Sequence, residues 1–309
     1  MTDRPVRVAT RASRLALWQA AQVCDRLQAA HPNLVVELVP MTTQGDRLGG
    51  ASLAAAGGKG LFVEDLESAI ADGRADLAVH SMKDMPARMN PGFVIGAVLE
   101  RADARDALVS GRHARLSDLG PGEPLGTSSL RRRSQLKSLQ PGLEIVPVRG
   151  NVDTRLRRLD EGRYAALVLA AAGLERLGLG ERITERLPVA VCLPAVGQGV
   201  IGVECGDSDE RARSLVAALE HAPTRTCLSA ERAFAAALGG SCQSPIAGYA
   251  ELSGDSIGLR GYVGLPDGSR ALHGERTGHA DAAERLGREL ADELLAAGGD
   301  DILRLAEQV

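Results

Sequence analysis

Short apolar runs alternate with amphipathic stretches through the first two-thirds of the chain. Val6–Thr10, Leu34–Val39, Asp76–His80 and Phe93–Leu99 have the length and bounding residues of strands. Leu15–Gln28 and Phe62–Ala71 instead repeat apolar residues three and four apart, the spacing of one helix face. Leu125–Thr127, Glu144–Val148 and Ala165–Ala170 take up the strand role again, each followed by a polar turn and a helical segment. The alternation predicts α/β domains with largely parallel sheets. Val200–Glu204 is one more strand, and beyond it the pattern changes. Ser208–His221 and Thr224–Leu238 predict helices. Ile246 to Thr277 is hairpin-like, broken at Ser253-Gly254-Asp255 and Pro266-Asp267-Gly268. Asp281–Ala296 and Ile302–Gln308 predict two closing helices, so a separate α+β domain starts near residue 220.

Composition narrows the class. The chain has 309 residues, 44% hydrophobic and 25% charged, enough for two or three domains with their own cores. Its 36 Lys+Arg against 40 Asp+Glu give a net charge of −4, which excludes a generally basic, nucleic-acid-coating chain. Aromatic residues are 2%, too few for base-stacking platforms. The start, MTDRPVRVAT, lacks the apolar core of a signal peptide, and no apolar stretch is long enough to span a membrane. A cytoplasmic protein without membrane or nucleic-acid partners is expected. Cys24, Cys192, Cys205, Cys227 and Cys242 form no C-x-x-C pair and the histidines are scattered, so neither a metal cluster nor a disulfide framework is indicated.

Two glycine patterns mislead. Gly58-Lys59 lacks the first glycine and the hydroxyl residue of a phosphate loop, having Leu53 and Gly60 there. Gly197-Gln198-Gly199-Val200-Ile201-Gly202 matches a dinucleotide fingerprint but opens onto a strand where that site needs a helix. The Gly/Ala-rich stretch Leu48–Gly60 reads as either a surface loop or a lid.

Candidate chemistry gathers where strands end. Thr10-Arg11-Ala12-Ser13, Gly126-Thr127-Ser128-Ser129-Leu130-Arg131-Arg132-Arg133 and Arg149-Gly150-Asn151-Val152-Asp153-Thr154-Arg155 each precede a helix. Hydroxyls and free N–H groups at helix starts receive anions, and Arg forks add bidentate pairing. Between Thr127 and Arg158 there are eight Lys+Arg and two acids, within a net acidic chain. An anionic ligand with several carboxylates or phosphates fits. Asp84, after Lys83 at a strand end, is either an ion pair or helix cap, or a carboxylate that stabilises a developing cation and moves protons. Cys242 lies on a loop between Gly239-Gly240 and Pro245, as a nucleophile or a covalent attachment point.

The segments ATRASRLALWQA (9–20), GGKGLFVEDLE (57–67), HSMKDMP (80–86), GTSSLRR (126–132), RGNVDTRLRRL (149–159), LPAVGQG (193–199) and ERAFAAALGGSCQSPIAGYAEL (231–252) resemble the porphobilinogen deaminase (hydroxymethylbilane synthase) family over essentially the whole chain. The resemblance implies a cytoplasmic transferase of heme biosynthesis, expected as a monomer. It would condense four porphobilinogen molecules, with loss of ammonia, into hydroxymethylbilane. It implies a dipyrromethane cofactor bound through a thioether to Cys242. Lys83, Ser129, Arg131, Arg132 and Arg155, with Ser81, Asp84, Thr127 and Gly150, would hold that cofactor. Arg11, Ser13, Gln19, Lys59, Arg149, Arg155, Arg176 and Gln198 would meet substrate, and Asp84, Arg11, Arg149 and Arg155 would be catalytic; no metal is implied. The fold implied is α/β. Two type II periplasmic-binding-protein-like domains, 1–99 with 200–219 and 100–199, flank a cleft, and a C-terminal α+β domain covers 220–309. Arg14 and Ser244 depart from the family pattern, as does the absence of a basic residue in 51–56. A non-enzymatic binder of anionic solutes is the alternative of a different class, and the loop cysteine speaks against it.

Overall fold

The computed structural model describes residues 4–43, 63–240 and 244–308. The chain forms two compact units, one of residues 1–102 and 200–225, the other of 103–199 and 226–309.

The first unit holds β1 (Val6–Arg11), α1 (Arg14–Ala30), β2 (Val36–Met41), α2 (Glu64–Ala71), β3 (Leu77–Ser81) and β4 (Phe93–Val98). Val6, Val8, Leu77 and Val79 alternate onto the face that packs against Ala20, Val23 and Leu27 of α1. Ala9 and Ala78 alternate onto the other face, against Leu66 and Ala69 of α2. Covering both faces explains why these strands read as nearly continuous apolar runs.

The second unit begins with β5 (Asp106–Ser110) and β6 (Pro124–Gly126), followed by α3 (Leu130–Leu139), β7 (Glu144–Val146) and α4 (Val152–Asp160). Next come β8 (Ala166–Ala170), α5 (Ala171–Arg176) and the two-residue β9 (Glu185–Arg186). The chain then returns to the first sheet as β10 (Ile201–Gly206), followed by α6 (Glu210–Ala217) and α7 (Ala222–Ala237).

The sheets have corresponding orders, β2-β1-β3-β10-β4 and β7-β6-β8-β5-β9. They are mixed rather than largely parallel. β1 runs parallel to β2 and β3, and β6 to β7 and β8. β10 is antiparallel to β3 and β4, and β5 to β8 and β9. Strand–helix alternation foretells only the parallel half, because β10 and β5 arrive by other connections. At Gly202 a Cβ would run into the Met82 side chain, so a glycine there lets β10 pass close to the turn that follows β3.

The C-terminal sheet is β11 (Ile246–Ser253), β12 (Ser256–Gly264) and β13 (Ala271–His279), antiparallel throughout. Phe234 of α7 and Leu286, Leu290 and Leu294 of α8 (Ala283–Leu294) fill its core, and α9 (Asp300–Ala306) adds Ile302. The chain thus holds two mixed five-stranded sheets of corresponding order, each with its helices, and a smaller antiparallel sheet near the C-terminus.

Candidate active site

In the first unit, β1, α1 and the end of β3 enclose a pocket of about 70 Å³ lined by Arg11, Ser13, Gln19, His80, Ser81 and Asp84 among others. Ser13 caps α1, its hydroxyl accepting from Ala16 N at 3.4 Å. Gln19, one helical turn further on, donates from Nε2 to Ser81 Oγ at 2.8 Å and so ties α1 to the end of β3. Ser81 also starts the 3-10 turn Met82–Asp84, in which Met82 is buried and Lys83 half-buried. That turn delivers Asp84 to the pocket. Its exposed carboxylate accepts no hydrogen bond and forms no ion pair among the described residues, and it is not the residue that caps the turn. Neither structural role considered for Asp84 is therefore seen.

The second unit positions the arginine loops. Ser129 caps α3, accepting from Arg132 N at 3.4 Å, and Thr127 Oγ1 accepts from Ser129 N at 3.2 Å. Ser128 Oγ donates to Val148 O at 2.7 Å and accepts from Val148 N at 3.0 Å, which locks the loop after β6 to the loop after β7. Beyond it Gly150 adopts φ 103°, and a Cβ there would lie 2.9 Å from Thr154 Cγ2. The tight turn lets Arg155 Nε donate to Gly150 O at 2.7 Å while Asn151 caps α4. Arg149 is exposed, and its guanidinium makes no hydrogen bond among the described residues.

Arg131 and Arg132 point inward. Arg132 Nε and Nη2 donate to Asp106 Oδ1 at 3.0 and 2.7 Å, and Arg131 Nη2 lies 2.8 Å from Asp106 Oδ2. Arg131 also donates to Leu193 O at 2.6 Å, and Arg132 to Val168 O at 2.9 Å. Gln198 Nε2 donates to Asp106 Oδ1 at 2.9 Å and the Cys192 thiol to Oδ2 at 3.2 Å. Burial alone would raise the Asp106 carboxyl, but the two guanidiniums and Gln198 outweigh it and hold the group well below the usual carboxylate range. Burial, with Asp106 adding to it, pushes the Cys192 thiol up to about 12, so it packs as a neutral group. Arg176, which donates to Gly199 O at 2.6 Å, is drawn down to about 10 by burial against the pull of Glu175.

Sequence reasoning placed Arg11, Ser13, Gln19, Ser81 and Asp84 as site residues, and one pocket holds them all. Thr127, Ser129, Arg131, Arg132, Arg149, Gly150 and Arg155 lie, within the second unit, in the two turns that Ser128 joins or in the first turns of the helices that follow, with Gln198 joined to Arg132 through Asp106. Cys242, Lys59 and the Leu48–Gly60 stretch lie outside the described residues. Asp106 and His80 were not foreseen. Asp106 opens a strand too short to stand out, and His80 has its partner, Glu204, far away in sequence. As for the glycine fingerprint, Gly197 to Gly202 runs into β10 and not into a helix.

Family models match the chain in two places. Residues 6–214 match the dipyrromethane cofactor binding domain of porphobilinogen deaminase, and residues 225–296 match its C-terminal domain. Among solved structures, the chain is similar to the Bordetella pertussis BvgS VFT2 domain (double mutant), at 17% identity over 69% of this chain and 85% of that one, TM-score 0.41. A putative methionine-binding lipoprotein of Bacillus subtilis aligns at 10% identity over 72% and 92%, TM-score 0.46. An ABC transporter periplasmic substrate-binding protein of Coxiella burnetii aligns at 15% over 69% and 91%, TM-score 0.44. Among the described residues no helix is long and apolar enough to cross a membrane.

Proposed function

The chain belongs to the porphobilinogen deaminase family, and from that premise we propose that it condenses four porphobilinogen molecules head to tail, with loss of ammonia, and releases hydroxymethylbilane by hydrolysis. This is the cytoplasmic, transferase chemistry of heme biosynthesis, carried out by a monomer of three domains: 1–99 with 200–219, 100–199 and 220–309.

The observation that carries the reading is the Asp84 carboxylate, delivered to a pocket beside Arg11, Ser13, Gln19 and Ser81 and without a protein partner among the described residues. Loss of ammonia from an aminomethylpyrrole leaves an electron-poor ring whose N–H becomes more acidic. A fixed carboxylate accepts that N–H and offsets the developing positive charge. Arg11 and Ser13 supply donors for an incoming acetate or propionate, as do Arg149 and Arg155 in the second unit, with Gln19, Lys59, Arg176 and Gln198 assigned to the same substrate.

A dipyrromethane joined to Cys242, when bound, supplies the free pyrrole carbon on which the chain grows. The donor set fits such a polycarboxylate. Two guanidiniums sit at the start of a Ser129-capped helix, beside Thr127 and the Gly150 turn, and Lys83 and Ser81 flank Asp84 on the 3-10 turn. Arg131 and Arg132 would hold carboxylates with the N–H groups that Asp106 and the backbone carbonyls do not take.

Incubation with porphobilinogen tests the proposal. Ammonia and a linear hydroxymethylated tetrapyrrole should appear in a ratio of about four to one, as the stoichiometry requires. Stoichiometric binding without ammonia release would favour the anionic-solute binder.

A further inference from the structure

One cluster of the first unit has no part in the chemistry above. Strand alternation sets His80 on the same face as Ala78, which packs on Leu66 and Ala69 of α2. The register pairs Glu204 of β10 with Ala78, and Gly202 with His80. His80, Glu204 and Glu67 of α2 therefore share the space between sheet and helix, at 7%, 0% and 4% exposure. Among the described residues no group of three or more such side chains could hold a metal ion, so the cluster is not a ligand set.

The hydrogen bonding is incomplete in an informative way. His80 Nε2 lies 2.8 Å from Glu204 Oε2. A carboxylate only accepts, so Nε2 carries the ring proton of neutral His80 and Nδ1 is its basic nitrogen. Nδ1 has no partner among the described residues, and His80 is one of the residues lining the Asp84 pocket. Glu67 Oε2 accepts from Asn90 Nδ2 at 2.7 Å, yet Glu67 Oε1 and Glu204 Oε1 are both buried without a donor. Burial raises the Glu67 carboxyl, and Glu204 raises it further as a charge and a hydrogen-bond partner, against Asn90 and His80. One proton shared by the two carboxyls would satisfy both orphan oxygens.

We propose that His80 accepts the proton freed in each condensation, and that Glu204 and Glu67, sharing one proton, balance the imidazolium charge beneath it. The proposal rests on the condensation described above. There a ring C–H bond gives way to a C–C bond, and the C–H electron pair returns to the ring. The C–N bond of the incoming aminomethyl group breaks with its electron pair leaving on ammonia. The aminomethyl group enters as its ammonium, so it leaves as neutral ammonia; the proton freed afterwards from the ring binds His80 Nδ1 and passes from there to water. His80 is a catalytic residue in this scheme, and Glu204 and Glu67 are positioning residues. The other charged groups around the cluster are Arg11 and Asp84 in the pocket and Glu64 and Asp65 in the first turn of α2.

Infrared difference spectroscopy of the whole protein, independent of turnover, should show a protonated buried carboxyl at neutral pH that disappears in Glu67→Gln. His80→Gln should lower kcat about 10²-fold with KM for porphobilinogen nearly unchanged. Glu204→Gln removes the charge that favours the imidazolium, so the acid limb of its kcat profile should move to lower pH. Glu67→Gln copies a protonated carboxyl and should leave that limb in place. A wild type without the carboxyl band, a His80→Gln variant with normal kcat, or Glu67→Gln moving the limb as far as Glu204→Gln would overturn the proposal. If Glu204→Gln does not fold, the band and the His80→Gln kinetics decide. A wild type that does not turn over porphobilinogen rejects the condensation itself, and the infrared band still reports on the shared proton.

Discussion

Asp106 Oδ1 accepts both Nε and Nη2 of Arg132, while its second oxygen faces Arg131. One buried carboxylate at the start of a strand thus orients two guanidiniums at the start of a helix. Asp106→Asn keeps the shape and removes the charge, leaving two buried cations without their anion. A loss of about 3–5 kcal/mol is expected in urea unfolding at neutral pH. The pH dependence has a definite sign. A carboxyl held below its ordinary value stabilises the fold at pH above the ordinary Asp range, and this is lost as pH falls through the folded value. The variant should therefore lose less stability than the wild type on acidification, and parallel acid limbs would count against the assignment.

Asp84→Ala should separate stability from activity. Its carboxylate has no partner among the described residues, so the melting temperature should stay within a degree or two. Turnover of porphobilinogen should drop by about 10²–10³ or more. A variant with nearly normal turnover would reject the electrostatic role.

Intact mass under denaturing conditions reads the cofactor directly. Active protein should exceed its sequence mass by two pyrrole units, and Cys242→Ser should not. An unmodified mass in active protein would rule out covalent attachment.

Arg149→Gln should stall elongation without unfolding the protein, since the exposed guanidinium holds no neighbour in place among the described residues. Mass spectra of briefly reacted enzyme should show covalent intermediates accumulating at a shorter length. An unchanged distribution with full activity would remove Arg149 from the anion site.

Local pattern was enough to read β1, α1, α2 and β3, because each carries its apolar residues in one run or on one helix face. The turn carrying Asp84 was legible for the same reason: an apolar strand that stops at a charged residue marks a sheet edge. β5 was missed, its apolar stretch being only Ala107–Val109. The antiparallel directions of β5 and β10 were missed too, since direction depends on connections and not on period. The Ser/Thr/Arg turns led to the expectation of an anion site but gave no sign that Asp106 holds Arg131 and Arg132. His80 and Glu204, 124 positions apart, become neighbours only through the β3–β10 register. Pairings of that range leave no trace in a single sequence.

The late arrival of β10 sets the order in which the protein can be made. β3 and β4 emerge from the ribosome with the strand that belongs between them still about a hundred codons away. Until then each presents an open edge to any other chain. A ribosome that stops before residue 201 therefore releases a first sheet without the strand that joins β3 to β4, and without Glu204. Nascent chains halted there should need chaperone protection, and those extended past Gly206 should resist protease as a unit.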